Sequence, residues 1–332
     1  TASGRNALQN NTTGSSNTAS GTWALYSNTT ANYNTAIGKG ALLYNTTGEY
    51  NTASGAQALE ANTTGYGNTA SGSLALFSNT EGYYNTASGA QAMENNTIGY
   101  QNTALGNWAL SLNTEGYQNT AVGAQALQNN TTGFQNTASG NWALYSNTTG
   151  IGNTALGVSA LQHNTFGYNN TAIGFDSGPY YMNIFNSTAI GNGAETFYSN
   201  SVRIGNSDIT YIAGQVGWTT TSDRRWKSDI QNSSLGLNFI SKLRPVSYYR
   251  NNDESKKIEY GFIAQELETA LNNAGASNNG IISKDDEGMY GVRYNDLISP
   301  MVKAIQEQQE MINTLQQENK EFKERIVQLE NK

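Results

Sequence analysis

Residues 51–59, Asn-Thr-Ala-Ser-Gly-Ala-Gln-Ala-Leu, decide the fold, because close variants of this segment fill more than half of the chain. The tetrad N-T-A-x followed by glycine returns every 17 residues without drift. It begins at Asn17, Asn34, Asn51, Asn68, Asn85, Asn102, Asn119, Asn136, Asn153 and Asn170. A short fixed period is typical of a stacked solenoid, in which each repeat forms one coil.

Each period also contains an Ala-Leu pair, an Asn-Thr turn and a glycine, as in residues 58–65. The apolar runs are too short for helices, so the sequence predicts very short strands joined by tight turns. We expect Asn and Gly to supply the left-handed backbone of these turns. Identical asparagines stacked coil on coil are predicted to form hydrogen-bonded ladders. At about 4.8 Å per coil, the repeats make a stalk roughly 50 Å long.

Composition limits the classes of function. The 332 residues are only 37% hydrophobic and include 35 glycines, which favours a repetitive structure over a conventional core. A formal net charge of -7 makes nucleic acid and anionic membrane unlikely partners. The chain lacks cysteine and any apolar run of the roughly 18 residues that span a bilayer. It begins in the middle of a repeat at Thr1, which is typical of a piece of a longer protein.

The repeat pattern of residues 1–215 resembles the head repeats of YadA-like trimeric adhesins and the shaft repeats of phage tail fibres. Residues 201–206, Ser-Val-Arg-Ile-Gly-Asn, are close to the S-V-x-I-G-x unit of that family. The resemblance implies three chains, each forming a left-handed β-roll about a common axis. A disordered low-complexity segment is the alternative, and the invariant Ala-Leu spacing argues against it.

A second regularity has twice the period. Gly-Ala-Gln-Ala begins at Gly55, Gly89 and Gly123 and alternates with a version in which Leu74, Trp108 and Trp142 replace the glutamine. This alternation predicts a column of large side chains on every second coil, a candidate surface for a host glycan or protein. Duplication of 34-residue blocks explains the same pattern without any function.

Charged residues become common and the repeat ends after Gly214. Residues 222–227, S-D-x-R-x-K, are followed by Leu-Arg-Pro-Val at 243–246 and by Tyr-Gly-Phe-Ile-Ala-Gln-Glu-Leu-Glu at 260–268. In this order and spacing, the motifs resemble the auto-processing intramolecular chaperone domain of phage endosialidases. We therefore predict a cleavage linker at 216–221 and a small α+β chaperone domain at 222–294.

The resemblance implies self-cleavage between Thr221 and Ser222, with Ser222 as nucleophile and Lys227 as general base. A serine hydroxyl becomes a good nucleophile when a neighbouring amine takes its proton, and that amine must be neutral. Attack on the preceding carbonyl would give an ester by an N-to-O shift, and a water-assisted route stays open. Candidate supporting residues are Asp223, Arg224 and Arg225.

The spacing of Ser222 and Lys227 adds a geometric requirement. Five residues apart, the two side chains diverge by about 140° on an ideal helix and lie on opposite faces of a strand. A turn or helix start must therefore intervene, or the lysine comes from a neighbouring chain.

No cofactor and no metal site is predicted. His163 is the only histidine and occupies a variable position of the repeat, which argues against a Ser-His-Asp triad and against a histidine-rich metal centre. Residues 285–288, Asp-Asp-Glu-Gly, resemble part of a calcium loop but lack its alternating ligand spacing.

Residues 295–332 read as one long helix with apolar residues at heptad spacing. One seam position holds Ile298, Ile305, Ile312, Asn319 and Ile326, and the other holds Met301, Gln308, Leu315, Phe322 and Leu329. Isoleucine beside bulky residues is compatible with a three-stranded coiled coil. An amphipathic helix packed on its own domain is the alternative.

The fold class predicted is mainly β: a trimeric β-roll or β-solenoid shaft, a small α+β domain and a coiled-coil helix. The predicted function is a homotrimeric fibre whose last domain directs assembly and then cleaves itself off by a Ser-Lys dyad, located in a virion tail fibre. The alternative is a non-cleaving trimeric adhesin on a bacterial surface. Both have self-association as the main partner, with no nucleic acid and no membrane insertion.

Overall fold

A computed structural model describes residues 1–251, 255–284 and 288–331. The chain divides into two compact units, residues 1–209 and 210–332. The first unit is the predicted solenoid, and the second is the predicted small α/β region with a C-terminal helix. No helix in the described part of the chain is long and apolar enough to cross a bilayer.

The solenoid unit contains one parallel sheet of 13 strands, one strand per coil. These strands are β1 (Ala2–Ser3), β2 (Thr18–Ser20), β3 (Thr35–Ile37), β4 (Thr52–Ser54), β5 (Thr69–Ser71), β6 (Thr86–Ser88), β7 (Thr103–Leu105), β8 (Thr120–Val122), β9 (Thr137–Ser139), β10 (Thr154–Leu156), β11 (Thr171–Ile173), β13 (Thr188–Ile190) and β15 (Val202–Ile204). A second parallel pair, β12 (Gly178–Pro179) and β14 (Glu195–Thr196), lies near an interruption of the repeat at residues 179–185, which contains Tyr180 and Tyr181. The predicted short strands are thus confirmed.

The strand register shows why the 17-residue period is strict. Ala53 pairs with Ala70, so each strand residue lies beside its equivalent in the next coil. This register persists through the interruption, and only the last step is shorter, with Thr188 paired to Val202. The central alanine of each strand from β2 onward points inward and is buried, except that Arg203 takes this place in β15. One residue gained or lost would turn the buried alanine outward.

The coil interior is narrow and filled by the Ala-Leu pair. Ala58 and Leu59 are fully buried, and equivalent residues continue the core from Ala24 to Leu161. The first glycine of each coil has a backbone that favours glycine: Gly89 has φ 141°, and a Cβ there would lie 2.4 Å from the carbonyl oxygen of Gly106. Only a hydrogen lets adjacent coils approach this closely.

The asparagine ladders are confirmed. Asn79 donates to Oδ1 of Asn62 (2.8 Å) and to the carbonyl of Gly82 (3.0 Å), and it accepts from Asn96 (2.8 Å). A second buried column uses its amide differently, because Oδ1 of Asn51 accepts the backbone N–H of Asn68. Both columns satisfy polar groups that the narrow coil cannot expose to water.

The expected location of the left-handed backbone is partly wrong. Glycines such as Gly55 do adopt positive φ, but the buried repeat asparagines do not. The other left-handed residues of the turn are Gln57 (φ 60°) and Leu59 (φ 53°). A left-handed leucine costs about 1–2 kcal/mol, and complete burial of its side chain offsets this cost. The asparagines keep ordinary backbone angles that direct their amides along the ladder.

The second unit has a small core of its own. Its elements are α1 (Leu237–Ile240), β16 (Val246–Tyr248), β17 (Glu259–Gly261), α2 (Ala264–Asn273), β18 (Ile282–Lys284), β19 (Tyr290–Val292) and α3 (Ile298–Glu330). Strands β16 and β17 form one antiparallel pair, and β18 and β19 form another. The buried core residues are Phe239, Leu267, Leu271, Ile281 and Leu297.

Helix α3 has 33 residues, and only its start packs on the domain. Pro300 and Ala304 are its buried residues, whereas the seam residues Ile312, Leu315 and Phe322 are exposed. Within the described residues, the helix therefore leaves its own domain after its first turns. The alternative of a helix packed along its length on that domain is wrong, since the small core extends no further.

Candidate active site

The predicted cleavage motif lies in a segment with little packing of its own. Every residue of the range 210–234 is exposed, including Trp218 (87%) and Trp226 (82%). Its one element of regular structure in the described chain is a 3-10 helix, Arg224–Trp226. Both tryptophans of this segment therefore face water.

The 3-10 helix begins with a side-chain cap. Asp223 has an extended backbone, and its Oδ1 accepts the backbone N–H of Arg225 at 2.8 Å. Asp is among the residues that best satisfy the free N–H groups at a helix start. The turn closes when the N–H of Lys227 donates to the carbonyl of Arg224. Ser222 and Lys227 therefore stand on either side of one tight turn.

This turn brings the predicted nucleophile and base together. Nζ of Lys227 donates a hydrogen bond to Oγ of Ser222 at 2.6 Å. Of the two arrangements that the five-residue spacing allowed, the structure has the intervening turn, and the contact lies within one chain. The geometry matches the first requirement of a Ser-Lys pair, a nucleophile within hydrogen-bond reach of a base.

Two of the candidate supporting residues pair with each other. The guanidinium of Arg225 contacts the carboxylate of Asp223 at 2.8 Å. The Arg225 side-chain hydrogen bond, followed by its backbone N–H, lowers the pKa of Asp223, and the same side-chain bond raises the pKa of Arg225. The charge of Arg225 is thus offset by Asp223 and not directed at the lysine. Arg224 is exposed on the turn.

The sole histidine lines a different depression. His163 borders a cavity of about 680 Å³ in the solenoid, together with Asp176 and Ser177. Oγ of Ser177 donates to the carbonyl of Gly174 at 2.9 Å, so its hydroxyl proton is engaged by the backbone. These residues do not form the relay of a serine hydrolase.

The acidic turn that the sequence singled out falls largely outside the described residues, since Asp285, Asp286 and Glu287 have no described structure. Among the residues that are described, no group of three or more His, Asp or Glu side chains is placed to hold a metal ion.

Sequence reasoning missed one connection within the second unit. Oε2 of Glu307, in helix α3, accepts the backbone N–H of Leu237 at 2.6 Å. A pair separated by 70 positions leaves no local pattern. The sequence feature that comes nearest to indicating this contact is Gly236. A Cβ at this position would lie 2.4 Å from the Glu307 carboxylate, so only glycine fits.

The described chain thus holds a solenoid, a small domain with its own core and a long, largely exposed helix. Residues 222–276 match the model of a peptidase family described as chaperone of endosialidase. The match begins at Ser222 and includes Lys227. A comparison with curated proteins gave no match. Residues 222–276 are therefore similar to a chaperone domain of the endosialidase type.

Proposed function

We propose that the protein is a homotrimeric fibre, as in a phage tail, whose chaperone domain directs trimer assembly and then cuts the bond between Thr221 and Ser222. The observation that carries the proposal is the 2.6 Å contact between Nζ of Lys227 and Oγ of Ser222. This contact is next to the Thr221–Ser222 bond, which leads into the first residue of the family match. It lies in an exposed segment that follows the last coil.

The cleavage step needs one serine, one neutral amine and water. The Lys227 amine takes the hydroxyl proton of Ser222 while Oγ bonds to the carbonyl carbon of Thr221. The carbon–nitrogen bond then breaks, and the resulting ammonium returns its proton to the departing nitrogen. This N-to-O shift leaves an ester between Thr221 and Ser222. Water hydrolyses the ester to a new carboxylate and restores the serine hydroxyl.

Self-association is supported by two exposed apolar surfaces. The seam of α3 presents Ile305, Ile312 and Phe322 to water over several turns. On the solenoid, the last residue of each strand faces outward. These residues become apolar toward the C-terminus, where Leu156 and Ile173 are exposed. Isolated helices with such a seam gain stability by pairing with copies of themselves. In a homotrimer, each of these surfaces packs on the same surface of the other two chains.

Assembly also provides a trigger for cleavage. In the single chain the Ser222–Lys227 pair lies in water. Packing of three chains around the exposed tryptophans, Trp218 and Trp226, removes that water, and desolvation disfavours the charged form of an amine. Cleavage after assembly makes trimer formation difficult to reverse, because the shaft no longer carries the domain that assembled it.

Intact-mass measurement of the purified full chain tests the proposal. We expect two products, residues 1–221 and 222–332, and a single uncut chain for Ser222→Ala and for Lys227→Met. Ser228→Ala and Lys242→Met are matched controls that should cleave normally. Hydroxylamine should trap the ester and accelerate cutting. An uncut natural chain that is already trimeric by native mass would contradict self-cleavage.

The exposure of Lys227 favours a second candidate, a trimeric surface adhesin in which the last domain assembles the trimer without cutting it. This candidate predicts an intact trimer, unaffected by Ser222→Ala, on a bacterial surface. The first candidate predicts a virion fibre that lacks residues 222–332.

A further inference from the structure

Two tryptophans on the solenoid are held by the same hydrogen bond. Nε1 of Trp108 donates to Oε1 of Gln91, and Nε1 of Trp142 donates to Oε1 of Gln125. In each pair the glutamine belongs to the preceding coil, 17 residues earlier. The alternation of Gln and Trp in the sequence is therefore a physical pair that spans two coils.

Each glutamine is oriented in turn by a second side chain. Nε2 of Gln91 donates to the Glu94 carboxylate at 3.0 Å, and Nε2 of Gln125 donates to Oε1 of Gln128 at 2.9 Å. The amide oxygen is thereby turned toward the indole. This relay of two side-chain hydrogen bonds holds each indole in place. Both indoles stay partly in water, with Trp108 38% exposed and Trp142 42% exposed. A ring fixed before binding loses little entropy when a ligand packs on it.

The spacing of the two indoles follows from the coil. Trp108 and Trp142 are two coils apart and make equivalent backbone bonds to Ala90 and Ala124, so the rings repeat along the shaft at roughly 9.6 Å. Leu74, which is half-buried, occupies the same position two coils before Trp108 and makes the equivalent backbone bond to Ala56. The amides of Gln125 and Gln128 belong to the coil between the two rings. The surface alternates a flat apolar platform with a polar layer.

We propose that this column, Leu74, Trp108 and Trp142 with their glutamines, binds an extended, neutral β-1,4-linked glycan. In such a chain the same sugar face returns on every second unit, and this distance is close to two coils of the shaft. The C–H face of alternate pyranose rings packs on each indole, and the intervening hydroxyls bond to the amide layer. The inference adds a ligand to the proposed fibre but does not depend on cleavage.

Charge and backbone geometry favour a neutral glycan over other ligands. Glu60 and Glu94 lie beside the column and repel an anionic chain. A peptide that adds as a strand needs free backbone groups, but the N–H groups of Trp108 and Trp142 already bond to the preceding coil. Sugar hydroxyls need only the side-chain amides that the relay presents.

Calorimetry with cellohexaose and chitohexaose tests the inference on the full chain carrying Ser222→Ala, which keeps every sample uncut. At least one hexasaccharide should bind, and the double variant Trp108→Ala/Trp142→Ala should weaken binding about tenfold or more. Gln91→Ala/Gln125→Ala, which keeps both rings but releases them, should weaken it less. A disaccharide should bind far more weakly because it cannot reach both rings.

Tyr249→Ala is the matched control, since it removes an exposed aromatic ring outside the solenoid and should leave binding unchanged. Native mass of each variant reports trimer formation separately, so failure of glycan binding is distinct from failure of the fibre. Absence of binding by both hexasaccharides to the chain with an intact column, or binding that survives the double tryptophan variant, would overturn the inference.

Discussion

Glu307 of helix α3 holds the start of helix α1, because its carboxylate accepts the backbone N–H of Leu237 at 2.6 Å. Lys303 lies beside this carboxylate, 3.5 Å away, one turn earlier on α3. The helix proposed to carry the coiled coil is thereby fixed to the domain that follows the cleavage motif. Together with the buried Pro300 and Ala304, this side chain joins the helix to the domain.

Replacement of Glu307 should loosen this link. Glu307→Ala removes the acceptor of a charge-assisted hydrogen bond, so we expect a loss of about 1–3 kcal/mol in the free energy of unfolding of the second unit. Glu307→Gln keeps an acceptor and should lose less. Urea unfolding monitored by the helical circular dichroism signal, which comes from the helices of the second unit, measures both, with Glu310→Ala as the control on the same helix. Equal stability of Glu307→Ala and Glu310→Ala would argue against the link.

Asp223 should act as a positioning residue for the dyad. Asp223→Ala removes both the helix cap and the ion pair with Arg225, whereas Asp223→Asn keeps a good cap and removes only the charge. We therefore expect cleavage to slow more in Asp223→Ala than in Asp223→Asn, measured by intact mass over time. The opposite order would show that charge, and not the turn, is what Asp223 contributes.

The turn that Asp223 caps should also persist to a lower pH than it would with a carboxyl group of ordinary pKa. Arg225 lowers the pKa of Asp223. The stabilisation of the turn by this carboxylate is therefore complete above the unfolded-state pKa of about 3.9, and it is lost as the pH falls through the lower folded-state pKa. NMR titration of the Asp223 carboxyl measures the midpoint, which Arg225→Ala should raise toward the ordinary value. A midpoint that Arg225→Ala does not raise would argue against this cause.

The hydrogen bonds of the asparagine ladder should contribute to the stability of the shaft beyond what the packing of these side chains contributes. Asn79→Ala deletes two donated hydrogen bonds and one accepted bond and leaves buried partners unsatisfied, so we expect a loss of about 2–4 kcal/mol in the stability of the shaft. The exposed Asn107→Ala should change stability by less than about 0.5 kcal/mol. Thermal unfolding followed by circular dichroism compares the two. Similar melting temperatures would contradict the role of the ladder.

The seam of α3 should determine the oligomeric state. Ile312→Asp places a charge among the apolar seam positions, and burying it unpaired between helices is costly. We expect monomers by native mass, and an uncut chain wherever cleavage requires assembly. Asn313→Asp is the matched control, because it adds the same charge one position outside the seam. A trimer that survives Ile312→Asp would place the contact between chains elsewhere.

The solenoid was largely predictable because its information is periodic. A strict repeat of Asn51, Ala53 and Gly55 constrains every coil in the same way, so strand position, burial and ladders follow from one period. The left-handed leucines were not predictable, since leucine rarely adopts that backbone. The coil interior requires a large side chain at that point, and packing overrode the local preference.

At the candidate site, residue types and order indicated which groups belong together. Ser222 and Lys227 were named from the motif, but five residues of spacing left their contact undecided. The cap from Asp223 and the pairing that occupies Arg225 required coordinates, because each depends on how one turn closes. The contact from Glu307 had no local signal at all.

The sequence by itself determined the repeat, its register, the buried alanines and leucines, and the motif that marks the start of the chaperone domain, because each is a local or periodic pattern. Only the tertiary structure decided which residues turn left-handed, which supporting charges neutralise each other, how the indoles are held and how far α3 extends from its domain. These outcomes depend on which groups compete for the same space and the same hydrogen-bond partners, and that competition exists only once the chain has folded.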